Sequence, residues 1–211
     1  MYALVESGTI TKIFHNPQGF KLGDNQYSAD VFTKWSNSER EAIGLYAVII
    51  DDTNKKDNKW YNNTEQTFSY DASAGTVTAA YGTATAKSLT NVNWTQSEID
   101  NGEAEEGATT STVKIPGLKP KFIDEIKSQA NVILSKTDWY VTRKSEKSTA
   151  IPNNISTHRD AVRTKHAEME TAITNAADTA ALETLFEVVN TGTEENPVYE
   201  RPLGRLPELE S

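Results

Sequence analysis

The chain has no cysteine, only three histidines and only two methionines among 211 residues. Lacking cysteine, it has no thiol nucleophile, disulfide staple or thiolate zinc site, and its redox compartment cannot be read. Bases are also scarce: 21 Lys and Arg stand against 30 Asp and Glu, a net charge of -9. A nucleic-acid binder needs a basic face to displace phosphate counterions, so nucleic acid is not an expected partner. No apolar run approaches the ~18–20 residues of a membrane span, so a membrane is not expected either. The opening Met1-Tyr-Ala-Leu-Val-Glu6 lacks the basic start and long apolar core of a signal peptide. Hydrophobic residues make up 36% of the chain, and the mean hydropathy is -0.59. Such a polar chain has modest cores and much wet surface, which suits an assembly component better than a compact enzyme. Its length allows one large domain or two small ones.

Chemistry is sparse. His158 and His166, eight residues apart on one helical stretch, point about 80° away from each other, a poor geometry for a shared metal. His166-Ala-Glu168 lacks the His-Glu-x-x-His spacing of a helical zinc site, and His15 sits at a turn without an obvious partner. Asp51-Asp52-Thr53-Asn54-Lys55-Lys56-Asp57 has the look of a calcium loop. Counted from Asp52, however, Asp57 and Asn63 stand where such a loop needs glycine and glutamate. Neither common glycine-rich phosphate cradle occurs, and the Gly-x-Ser-x-Gly elbow is missing. Paired carboxylates lie only on wet segments, where no cleft could desolvate them. No metal, cofactor or catalytic residue is expected, and the chain does not read as an enzyme.

The first 92 residues read as a β-rich module with one short helix. Tyr2–Glu6 and Thr9–Phe14 flank Ser7-Gly8 as a hairpin, and a second short strand pair surrounds Gly23-Asp24-Asn25. A helix is predicted between Phe32 and Ile43, with Ser36 and Glu39 forming a capping box and Gly44 ending it. Leu45-Tyr-Ala-Val-Ile-Ile50 is the strongest strand signal and the candidate for the sheet centre. Further strands are predicted at Trp60-Tyr61, Gln66–Tyr70 and Thr76–Tyr81, the last two joined by the Asp71–Gly75 turn.

Residues 93–118 read as an acidic flexible linker. Glu98, Asp100, Glu103, Glu105 and Glu106 sit among glycines and threonines, too polar to order themselves by burial. A helical module follows over 119–192. Phe122, Ile126, Ala130, Ile133 and Leu134 make one stripe of a helix that stops at Thr137-Asp138-Trp139. A polar linker then leads to Pro152, which suits the first turn of a second helix. Ile155, Val162, Met169 and Ala176 recur along that helix every seven residues, with Arg159 and Ile173 beside them. So narrow a seam favours an antiparallel hairpin over a long coiled coil. Asp178 caps a third, shorter helix that buries Leu182, Leu185, Phe186 and Val189 and ends at Asn190. Residues 193–211 read as an extended proline-rich tail. The fold class is thus α+β: a β-rich module, then a helical hairpin with a third short helix.

Trp35, Trp60, Trp94 and Trp139 fall one per segment and are expected to anchor small local cores. A second reading gathers Trp60, Tyr61, Phe68 and Tyr70 into a ligand-stacking face. At the hairpin corner, Thr137 or Asp138 can bond backbone groups freed at the helix end. Trp139 is expected to pack back across both helices. Arg159 and Arg163, one turn apart, could grip Asp138 or a partner's carboxylate. Trp139, Arg159 and Arg163 are therefore the candidate partner-binding residues.

The run Leu134-Ser-Lys-Thr137-Asp138-Trp139, then Ala150-Ile-Pro152, then His158-Arg159-Asp160-Ala-Val162-Arg163, resembles tail assembly chaperone-like modules of tailed bacteriophages. Those modules carry Thr-Asp-Trp, a linker, and a helix with Tyr-Arg-x-x-Leu-Arg; His158 and Val162 replace the tyrosine and leucine here. Trp35–Tyr46, Val48–Asn54 and the Gly75–Tyr81 string are similar to small β-rich modules of marine phage tail and virion proteins. The resemblance implies a virion structural protein of the tail or tail-fibre attachment region, with other tail, baseplate or fibre proteins as partners and self-association left open. It implies a location in the virion tail, or in the host cytoplasm during assembly. Two alternatives stand beside it: a non-virion tail or tail-fibre assembly chaperone, and a carbohydrate-binding host-recognition module.

Overall fold

A computed structural model describes residues 1–209. The protein is α+β and divides into two compact units, Met1–Thr85 and Ala86–Ser211. The first unit contains β1 (Tyr2–Glu6), β2 (Thr9–Phe14), β3 (Phe20–Leu22), β4 (Asn25–Tyr27), α1 (Val31–Lys34), α2 (Asn37–Ala42), β5 (Leu45–Asp51), β6 (Tyr61–Asn62), β7 (Gln66–Asp71) and β8 (Thr76–Tyr81). Five strands form one sheet in the order β2-β1-β5-β8-β7. The β5–β8 pairing is parallel and the other three are antiparallel. The sheet curls into a half-barrel that brings its outer strands β2 and β7 near each other.

β5 occupies the centre, as its apolar run predicts. Its far end is open to solvent all the same, since Ile49 is 53% exposed. Alternation along β1 explains how both faces of the sheet are used. Leu4 joins Phe14, Phe20, Phe32 and Leu45 on one face, under α1 and the β3–β4 pair. Ala3 and Val5 join Val77 on the other, where Tyr46 and Tyr70 pack.

The short helix expected to start at the Ser36 cap and end at Gly44 is α2; one turn of helix not foreseen, α1, precedes it, separated by extended backbone at Trp35 and Ser36. Ser36 imposes the break. Its hydroxyl accepts from the Glu39 N–H while the Glu39 carboxylate accepts from the Ser36 N–H at 2.7 Å, a full capping box. Those bonds hold the Glu39 carboxyl below its ordinary range. Arg40 satisfies the carbonyls left open at the break, donating to Phe32 O at 3.2 Å and Trp35 O at 2.7 Å. Gly44 then turns the chain into β5 at φ +77°, where a Cβ would run into the Val5 carbonyl oxygen.

The second unit follows β9 (Thr85–Ala86), which straddles the boundary. It contains β10 (Val92–Asn93), α3 (Gln96–Asp100), β11 (Val113–Ile115), α4 (Leu118–Ser135), α5 (Asp138–Lys147), α6 (Asn153–Asn175), α7 (Thr179–Phe186), β12 (Val189–Asn190) and β13 (Tyr199–Glu200). α4 and α6 pack as the expected hairpin. Leu118, Phe122, Ile126 and Ala130 recur every four residues on the buried side of α4. Ile155, Val162, Met169 and Ile173 do the same work on α6, and Leu182 of α7 is fully buried. Pro120 lies inside the first turn of α4, where no N–H is required of it. The free N–H groups of Gly117, Leu118 and Lys119 are taken up by Asn91 Oδ1, Ser88 O and Leu89 O at 2.9, 2.9 and 3.0 Å.

Three stretches carry structure where the sequence predicts little. Residues 93–118, read as a flexible linker, belong to the second unit and hold α3, which begins with a Thr95–Glu98 capping box. Lys114 on β11 pairs with Glu98, so a base does reach the acidic cluster. Residues 140–147, read as a linker, continue the helix α5, which ends at Ser148 in the left-handed region at φ +57°. The tail folds back: Leu203 is buried and donates its N–H to Leu185 O at 2.9 Å. Val189, expected on α7, lies instead in β12 and pairs with Glu200 of β13. Its β-branched neighbour Val188 helps explain why the helix stops at Phe186.

Candidate functional site

The corner between α4 and α5 concentrates the polar chemistry of the helical unit. The helix end at Leu134 leaves a carbonyl without an intrahelical partner. Thr137 turns back onto it, its N–H and its hydroxyl both donating to Leu134 O at 3.0 Å. Arg159, from α6, donates to the same carbonyl at 2.8 Å and to Thr137 Oγ1 at 2.7 Å. Its other terminal nitrogen lies 2.8 Å from Asp138 Oδ1. One buried guanidinium therefore joins a carbonyl in the last turn of α4, the capping position of α5 and the first carboxylate of α5. Asp138 is placed well for this, because a helix N-terminus favours negative charge.

Arg159 thus does grip Asp138. Arg163 does not: it is exposed and pairs with Asp160 of its own helix at 3.1 Å. Trp139 also departs from expectation. It does not pack across both helices but is 52% exposed, because α5 continues through it and turns its ring outward. The Trp139 ring lies 3.9 Å from that of Tyr140, centroid to centroid. The Arg143 guanidinium sits 4.7 Å from the Trp139 ring and 5.2 Å from the Tyr140 ring. Tyr140 and Arg143 are members the sequence reading missed. The signal was there, since Arg143 follows Trp139 by four residues, one helical turn. Treating residues 140–149 as a linker hid it.

The four proposed stacking aromatics do not form an open face. Trp60 is only 3% exposed and Lys59 Nζ lies 4.5 Å from the centre of its ring. Tyr70 shares a hydroxyl–hydroxyl bond of 3.1 Å with Tyr46 and packs on the sheet core. Tyr61 and Phe68 are half-buried on β6 and β7. A sugar ring needs an accessible aromatic face, and the largest of these rings has none.

Elsewhere, no group of three or more His, Asp or Glu among the described residues could hold a metal. Among those residues, no helix is long and apolar enough to cross a membrane. No protein-family model, curated protein or solved structure matches the chain.

Proposed function

We propose that this chain is a virion structural protein of a tailed bacteriophage, placed at the tail or tail-fibre attachment region and working through contacts with other tail, baseplate or fibre proteins. The resemblance of the Thr137-Asp138-Trp139 and Arg159–Arg163 runs motivates the reading. The observation that carries it is the exposed Trp139 ring, backed by the half-buried Tyr140 and Arg143 on a helix corner that Arg159 fixes from below. Trp, Tyr and Arg are the residue types that dominate contact energies in protein interfaces. A rigid display loses little entropy on docking.

Mass spectrometry of purified particles tests the reading. Peptides of this chain in fixed ratio to known tail components are expected. Their absence from particles, with the protein present in infected cells, turns the assignment to an assembly chaperone. Trp139→Ala is expected to keep the helical circular dichroism and to reduce incorporation into particles.

A further inference from the structure

A second surface of the helical unit lies beside this corner. An open groove of about 750 Å³ runs between α4, α6 and the folded-back tail. Val132, Ile133, Leu206 and Leu209 give it an apolar lining, and Val132 is 61% exposed. Among the described residues, Lys136, Arg201 and Arg205 bring three positive charges to the same groove against one carboxylate, Glu208. None of those three bases forms an ion pair among the described residues. In a chain of net charge -9, three unpaired bases around an apolar trough are a local inversion of sign.

The tail wall is built rather than draped. Leu203 is buried against α7, and the Gly204 N–H donates to Arg201 O at 2.8 Å, closing a turn with Gly204 at φ +76°. That turn places Arg201 and Arg205 on the groove, while Lys136 comes from the end of α4. The geometry points to a docking groove for an acidic, amphipathic peptide segment of a partner protein. Its apolar side chains fill the trough and its carboxylates meet the two guanidinium groups and the ammonium. Arginine favours this class of ligand because its planar fork matches a carboxylate in two parallel bonds. The apolar lining sets a peptide apart from a polyanion such as DNA, which would leave Val132 and the leucines uncovered. This deepens the reading of the chain as a protein-contact component by naming the chemistry of one partner segment.

Fluorescence anisotropy with the full chain tests it, using a labelled helix-forming peptide of Glu and Leu as probe. Three comparison probes are the same peptide with Lys for Glu, the same peptide with Ser for Leu, and labelled duplex DNA. The Glu/Leu peptide is expected to bind at least about tenfold tighter than each of the others, with affinity falling as salt rises. Arg201→Glu with Arg205→Glu is expected to weaken it by about tenfold or more. Val132→Asp on α4 and Lys136→Glu just past its end lie outside the tail turn, and should each weaken it without changing the circular dichroism. Equal binding of DNA, equal binding of the Lys/Leu peptide, or no loss in the Val132 and Lys136 variants overturns the proposal. Binding is read on the isolated protein, so its failure is distinct from absence of the chain in particles.

Discussion

The two units use the same two devices, and they differ in how far each device reaches. Each has a capping box, Ser36 with Glu39 and Thr95 with Glu98. Each also has a buried arginine that closes a break between helices, Arg40 in the first and Arg159 in the second. In the first unit every hydrogen-bond partner is local: Arg40 donates eight residues back at most, its one distant neighbour being the Tyr2 ring at 5.2 Å, and the Glu39 bonds stay within the box. In the second unit each device carries one ionic partner more, from a distant segment or its neighbourhood. Arg159 reaches 25 residues back to Leu134 O and adds Asp138, and Glu98 adds Lys114, 16 residues on. The reason is architectural. The sheet of the first unit already fixes where its helices lie. The second unit has only two-residue and three-residue strands, so side-chain ties across the chain do what a sheet ladder does in the first.

The sharpest way to break the comparison is to remove both arginines in turn. Arg159→Ala strips Leu134 O and Thr137 of a buried donor and leaves Asp138 facing the gap, and should destabilise the second unit by about 3 kcal/mol. Arg40→Ala leaves neutral carbonyls and Asn37 without their donor, and should cost the first unit about 1–2 kcal/mol. Urea unfolding followed by amide hydrogen exchange in each unit reads both values. If the Arg40 variant proves the more damaging, the claim that the second unit leans harder on such ties is wrong.

The same contrast explains what was legible in the sequence. Ser36 and Glu39 sit three residues apart beside Gly44, so the pattern announces itself, and the strand alternation around it places the sheet strands. The α4–α6 hairpin was readable from two apolar stripes. Glu98 was not, because its second partner lies beyond a run of acids, and composition alone makes that run resemble a tether. Arg159 was visible as a possible partner of Asp138, yet the Leu134 carbonyl it also holds carries no sequence signal. Trp139 misled for a related reason. A tryptophan at a presumed helix break is expected to bury itself, and only the continuation of α5 through Lys147 turns it to solvent. The groove depends on the tail, whose prolines suggest extension while Leu203 and Gly204 fold it back.

A milder probe separates charge from hydrogen bonding at the corner. Asp138→Asn keeps an acceptor near Arg159 and removes only the charge. Asp138 is 60% exposed on its side chain, so solvent screens the pair and the loss should be about 0.5 kcal/mol or less. Raising the salt should shrink the difference between variant and parent further. A loss as large as that of Arg159→Ala would mean that the ionic arm, rather than the bond to Leu134 O, holds the corner.

The finest comparison is between the two capping-box glutamates on acidification. The Lys114 ammonium, then the Thr95 backbone and hydroxyl, lower the Glu98 pKa from 4.5 to about 2. Glu39 is also lowered, but by Ser36 first. A carboxylate whose folded pKa is depressed contributes stability that is present above its unfolded value and is lost as pH falls through the folded one. Support for the α3 turn should therefore be complete above about pH 4.5 and fade between there and about pH 2. Lys114→Met removes the largest cause and leaves the Thr95 bonds. The Glu98 carboxyl should then titrate higher than in the parent yet still below 4.5, as followed by carbon-detected NMR, while Glu39 stays where it was. An unmoved Glu98 would mean that its capping box alone sets its acidity, and that the second unit's box is as local as the first's.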